Sequence, residues 1–146
     1  MTALTHRSAH GHSWAQDIPR VLAGITGAIF LVVGIAGFAV TGFDNFASEH
    51  GEDLLGFHVN PMHNLVHVLL GGVGLVLAWI KLARLYGWLL FVAYGLTFIY
   101  GLFAINESWD FLALNVADNV LHGGTALLGL VIALWPQHRH EGADRT

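Results

Sequence analysis

The sequence predicts an all-α fold: a bundle of four transmembrane helices built from two tandem helical hairpins. Three observations carry that expectation. Four long stretches, Val21–Phe43, Leu54–Ile80, Leu85–Asn106 and Asn119–His138, contain no Asp, Glu, Lys or Arg. Charged residues make up only 11% of the 146-residue chain, against 55% apolar types, whereas a soluble domain carries about 25% to cover its wetted surface. The second half of the chain also repeats features of the first at a shift of 55 residues. The mean hydropathy of +0.60 agrees with a membrane solvent. The same composition excludes disorder, a disulfide scaffold and nucleic-acid binding, because cysteine is absent and only six residues are Lys or Arg at a formal charge of −4.

Each element follows in order. A hydrocarbon core about 30 Å thick needs roughly 20 helical residues, and helix 1 is expected near 20–42. Helix 2 is expected at 61–80, because Asn60 can cap a helix and Pro61 suits its first position, where a missing N–H costs nothing. Helix 3 falls near 85–105. Helix 4 falls at 116–135, with Asn115 as its cap. The expected organisation is a histidine-containing tail over 1–17, a membrane domain over 18–136 and a second tail over 137–146.

Basic residues set the orientation. Arg7 and Arg20 precede or open helix 1, Lys81 and Arg84 lie between helices 2 and 3, and Arg139 and Arg145 follow helix 4. With four spans these regions share one side. The other two loops contain no Lys or Arg and hold Asp44, Glu49, Glu52, Asp53, Glu107 and Asp110. Both termini are therefore expected in the cytoplasm of a bacterial cell, with the protein multi-pass in its inner membrane and the acidic loops outside. The polar start lacks the short apolar core and cleavage site of a signal peptide. Trp14, Trp79, Trp88, Trp109 and Trp135 fall near span ends, as interfacial aromatics do.

The repeat aligns Asn60-Pro-Met-His63-Asn64-Leu-Val-His67 with Asn115-Val-Ala-Asp118-Asn119-Val-Leu-His122, and Gly74-Leu-Val-Leu-Ala78 with Gly129-Leu-Val-Ile-Ala133. Helices 1 and 3 match more weakly, Arg20 with Arg84 and Gly37 with Gly101. Two spans per unit give both units one orientation, with a pseudo-twofold along the membrane normal. The two helix starts and the four-span layout resemble a family of small four-span bacterial membrane proteins, found in actinobacteria and cyanobacteria and catalogued as a domain of unknown function. The resemblance covers roughly residues 15–136. It implies fold and location, and supplies no activity, ligand or catalytic residue.

Ten residues are His and one is Lys. Five of the histidines, His6, His10, His12, His138 and His140, belong to the tails, and His50 and His58 to the longer external loop. The other three are costly to place. His63 and His67 stand four apart and so share a helix face about 6 Å apart along the axis, and Asp118 and His122 repeat that spacing. Below them run small residues, Gly71, Gly74 and Ala78 on helix 2 and Ala126, Gly129 and Ala133 on helix 4. Such stripes let membrane helices approach closely. Pairing the two stripes gathers His63, His67, Asp118 and His122 as a metal site, with Asn64 and Asn119 placed to support the ligands by hydrogen bonds. A thiolate-free set of imidazole and carboxylate suits Zn, Mn or Fe as the divalent ion rather than Cu(I). Shared ligation requires the His67 and His122 imidazoles within about 8 Å, given metal–nitrogen bonds near 2 Å.

Other readings use the same residues. Asp118 can complete a capping box with Asn115, and His63 occupies the matching position after Asn60. His67 and His122 lie roughly 10 Å deeper than their caps, where polar groups are expensive and face the bundle interior. They can form an interhelical hydrogen bond in a purely structural or accessory subunit of a membrane complex. Alternatively, they can be both axial ligands of one haem b in an electron carrier, with helices 2 and 4 held apart. Tyr94, Thr97 and Gly101 on helix 3, and Gly27, Gly34 and Thr41 on helix 1, read as packing seams. No span holds a basic residue or a deep carboxylate for proton-coupled transport. The absence of a Ser-His-Asp nucleophile, phosphate loop or zinc-protease motif points to a non-catalytic role. The expected partners are the lipid bilayer and another membrane protein or a second copy of the chain.

Overall fold

A computed structural model describes residues 17–136. The tail histidines, Arg7, Arg139, Arg145 and Trp14 lie outside the described residues. The elements run α1 (Ile18–Thr41), β1 (Glu52–Leu54), β2 (Phe57–Val59), α2 (Pro61–Trp79), α3 (Ala83–Ala104) and α4 (Val116–Leu134). All four helices are long and apolar enough to cross a membrane. Large apolar side chains such as Val32, Leu96 and Leu127 stand exposed around the bundle, an arrangement that water penalises and lipid accepts.

The helix ends follow from local chemistry. Pro19 sits in the first turn of α1, and Asn60 and Asn115 cap α2 and α4 by accepting from the His63 and Asp118 backbone N–H groups, each at 2.9 Å. A three-residue turn through Lys81, at φ 64°, reverses the chain between α2 and α3. The short β1–β2 ribbon falls in the longer acidic loop. Its turn residues Leu55 and Gly56 both take positive φ, and the Gly56 N–H donates to Asp53 Oδ1. Asn-Gly or Asp-Gly is the usual signature of such a turn; leucine in the first position conceals it.

The small-residue stripes pack differently from expectation. α1 lies along α2 and α3 along α4, whereas α2 and α4 make no extended contact. Gly71 abuts the α1 backbone at Leu31 N and Gly27 O, and Gly129 abuts the α3 backbone at Phe91 N and Gly87 O. Gly74 receives the Tyr86 ring of α3. Gly71 and Gly129 therefore close each hairpin on itself, while Gly74 admits a ring from the other. Larger side chains fill the space between hairpins, where Phe30, Tyr86, Leu90, Tyr94 and Ile132 form the core. That division makes room for a polar cluster between hairpins, which two glycine faces pressed together would have excluded.

At the ends of the bundle the two hairpins make matching contacts. Arg20 Nε donates to Ala78 O at 2.9 Å, and Arg84 Nε to Ala133 O at 2.7 Å. At the opposite end the Asn64 and Asn119 carboxamide oxygens press against Gly37 and Gly101. The two acidic loops interlock there. Asn60 Nδ2 donates to Phe111 O at 2.8 Å and Asn115 Nδ2 to Gly56 O at 2.9 Å.

Candidate metal centre

The starts of α2 and α4 converge beneath the interlocked loops. His63, His67 and His122 are all buried, and one ligand atom from each lies within 4.8 Å of the others. These three residues can hold a metal ion. Nitrogens bound tetrahedrally at about 2.1 Å stand about 3.4 Å apart, so binding needs a closure of at most about 1.4 Å per pair. The rings are held by aromatic contacts. His67 stacks on Phe30 at 5.3 Å between centroids and meets His63 at 4.6 Å, and His122 meets Tyr94 at 5.2 Å and His63 at 5.6 Å.

Asp118 is buried with them. Its Oδ2 lies 3.8 Å from His63 Nε2, and its Oδ1 lies 3.6 Å from His122 Nε2. Asn115 caps α4 with its own side chain, while Asp118 leaves Oδ2 without any hydrogen bond. Its carboxylate thus turns to the imidazoles rather than back to the helix end.

The tautomer of His63 follows from one bond. Nδ1 stands 3.1 Å from Leu112 O, and a carbonyl oxygen only accepts, so Nδ1 carries the proton and donates. In the neutral ring Nε2 is then a bare lone pair. It faces Asp118 Oδ2, another acceptor, and neither has a hydrogen-bond partner among the described residues. His67 Nδ1 and His122 Nδ1 are likewise buried without partners. Buried polar atoms are ordinarily satisfied, and four unpartnered atoms on the neighbouring residues of one buried cluster fit a cation.

Asn64 and Asn119 do not support the imidazoles as the sequence suggested. Asn64 Nδ2 donates to Thr41 Oγ1 at 3.0 Å, and both carboxamide oxygens turn to glycines on α1 and α3. Their positions one residue past the ligand face carry them into the hairpin seams, where Asn64 ties α2 to α1 and Asn119 packs against Gly101. Support for His63 comes instead from the loop before α4. Buried Asp110 accepts from Leu112 N at 3.2 Å, Leu114 N at 2.7 Å and Tyr100 Oη at 3.3 Å, which folds that loop so that Leu112 O meets His63. Burial raises the Asp110 pKa above that of a free aspartate, opposed by those hydrogen bonds. Sequence reading counts Asp110 only among the acidic residues of the loops, because nothing local marks which loop carboxylate is buried.

A small cavity of about 30 Å³ adjoins the three imidazoles and is walled by Val66, Leu70, Ala93, Tyr94, Thr97 and Leu112. A porphyrin does not fit it, and His67 lies stacked on Phe30 and tilted against His63 with no slot for a macrocycle. The haem arrangement on His67 and His122 is not supported by this geometry. The sequence read Tyr94 as part of a packing seam; its ring stands over the site, and its buried hydroxyl has no partner.

No curated protein and no solved structure matches the chain. A family described as a domain of unknown function, DUF4383, matches residues 20–135, nearly the whole helical bundle and every residue of the cluster. The chain therefore belongs to that family, as a membrane protein of unknown role.

Proposed function

We propose that the protein is a non-catalytic, multi-pass component of a bacterial inner membrane that holds one divalent transition metal, Zn, Mn or Fe, at the external ends of α2 and α4. His63, His67 and His122 are the ligands, and Asp118 balances the charge or completes the shell. The supporting observation is the unpartnered pair of His63 Nε2 and Asp118 Oδ2, two acceptors 3.8 Å apart in a buried site. Such a pair repels unless a cation serves both. A proton satisfies one pair, whereas a metal ion satisfies the three imidazoles and the carboxylate together.

The same reading holds that both termini are cytoplasmic and that the two hairpins are a tandem repeat. Three matching contacts favour the repeat: Arg20 with Ala78 and Arg84 with Ala133, Gly37 with Asn64 and Gly101 with Asn119, and the two asparagine caps. In the first two the α1 and α3 members differ by 64 positions, and in all three the α2 and α4 members differ by 55.

Elemental analysis and absorbance of the detergent-purified protein test the site. About one transition metal per chain, lost when His67 and His122 become Ala, is the expected result. A Soret band would establish haem instead. Colourless, metal-free protein whose unfolding ignores chelator would leave a structural or accessory subunit.

A further inference from the structure

Resting on the metal reading, we propose that the ion keeps one coordination position open to the cavity beside Tyr94, and that this position takes a neutral, diatomic-sized ligand entering from the bilayer. Three features of the cavity support this. Its volume, about 30 Å³, is room for two or three water-sized molecules, since about 10–15 Å³ holds one water. All three imidazoles border it and Asp118 does not. The carboxylate therefore approaches the imidazoles elsewhere and leaves the cavity side free.

The chemistry of the walls selects the ligand class. Val66, Leu70 and Ala93 are apolar, and Thr97 spends its hydroxyl hydrogen on Ala93 O at 2.9 Å. Apart from the imidazoles, the one unsatisfied donor in the lining among the described residues is the Tyr94 hydroxyl. An apolar chamber with one hydrogen-bond donor beside a metal favours a small neutral ligand that gains a partial negative charge on coordination. A free anion would lose its hydration there without compensation. The outer wall sets the route. Val66 is exposed and Leu70, Ala93 and Thr97 half-buried, all on the lipid-facing side of the α2–α3 crevice. Diatomic gases dissolve in hydrocarbon, so the crevice leads from their reservoir to the ion.

The probe is nitric oxide added to the full-length protein loaded anaerobically with Fe(II). The expected result is a high-spin iron–nitrosyl EPR signal of about one per bound iron. Ala93→Leu, which fills the cavity without replacing a ligand, should abolish the signal while iron stoichiometry stays unchanged. Tyr94→Phe should retain the signal and release nitric oxide roughly tenfold faster, the loss of one hydrogen bond of about 1.4 kcal/mol. Iron bound without a nitrosyl signal would overturn the proposal and mean that Asp118 closes the shell. A signal undiminished by Ala93→Leu would overturn it too, by placing the ligand elsewhere. Failure to bind iron or any other metal would instead remove the metal reading itself.

Discussion

His63 Nε2 and Asp118 Oδ2 face each other across 3.8 Å with no hydrogen bond to either atom. The Leu112 carbonyl creates this confrontation by claiming the Nδ1 proton of His63 at 3.1 Å. An amide in place of the carboxylate can donate to Nε2 and relieve it. Asp118→Asn is therefore expected to act in opposite directions on the two states. The metal-free protein gains one hydrogen bond and loses a buried charge, raising its thermal midpoint by a few degrees. Affinity for Co(II), followed by its visible absorption, falls about 10- to 100-fold. A variant that loses stability and keeps its affinity would show that the carboxylate serves the helix end instead.

Asp110 acts on the same histidine from outside the spans. It folds the loop whose carbonyl orients His63, so Asp110→Ala should weaken metal binding about 10- to 100-fold with helical circular dichroism unchanged. Burial raises its pKa above the free value of 3.8, so the folded state holds the proton more tightly than the unfolded chain. Its stabilising contribution is complete below the unfolded value and is lost as pH rises through the folded one. Metal-free wild type should consequently gain stability relative to Asp110→Asn as pH falls from 7 toward about 4. Denaturation of both proteins at the two pH values measures the difference.

The four spans and the three histidines were legible in the sequence, because charge-free length and a costly polar residue in an apolar run are local signals. The caps at Asn60 and Asn115 were legible for the same reason. Partner choice was not. A stripe such as Gly71–Gly74–Ala78 announces close approach but not to which helix, and α1 supplied the glycine seam that α2 met. Asn64 illustrates the consequence: one position past the ligand face, it was assigned to the site, and its carboxamide lies in the α1–α2 seam bonded to Thr41. Tyr94 and Asp110 became relevant only once the hairpins were placed, since their roles depend on contacts between segments far apart in the chain.

Glycine substitutions should separate two kinds of close approach. A methyl group at Gly37 or Gly101 meets the carboxamide of Asn64 or Asn119, a side chain that can rotate at the loss of its position. At Gly129 it would stand 2.6 Å from Phe91 N and 2.7 Å from Gly87 O, and at Gly71 it meets Leu31 N. Backbone cannot step aside without parting the helices. Gly37→Ala and Gly101→Ala are expected to cost about 1–3 kcal/mol each, and to cost alike if the hairpins are repeats; Gly71→Ala and Gly129→Ala should cost more. Thermal unfolding in detergent orders the four. Equal losses at all four positions would mean that the asparagines are as immovable as backbone.

Arg20, Lys81 and Arg84 all stand at the end of the bundle opposite the acidic loops. Basic residues flanking spans are retained in the cytoplasm, so the proposed orientation predicts Ser108 outside and Leu82 inside. The chain has no cysteine, so single replacements report without background. Ser108→Cys, on an exposed loop position, should react with a membrane-impermeant maleimide in intact cells. Leu82→Cys, exposed in the α2–α3 turn, should react only after the cells are opened. The reverse pattern would invert the protein and set the cluster against the cytosol, so that any ion it holds would be drawn from the cell's own metal pool rather than from outside.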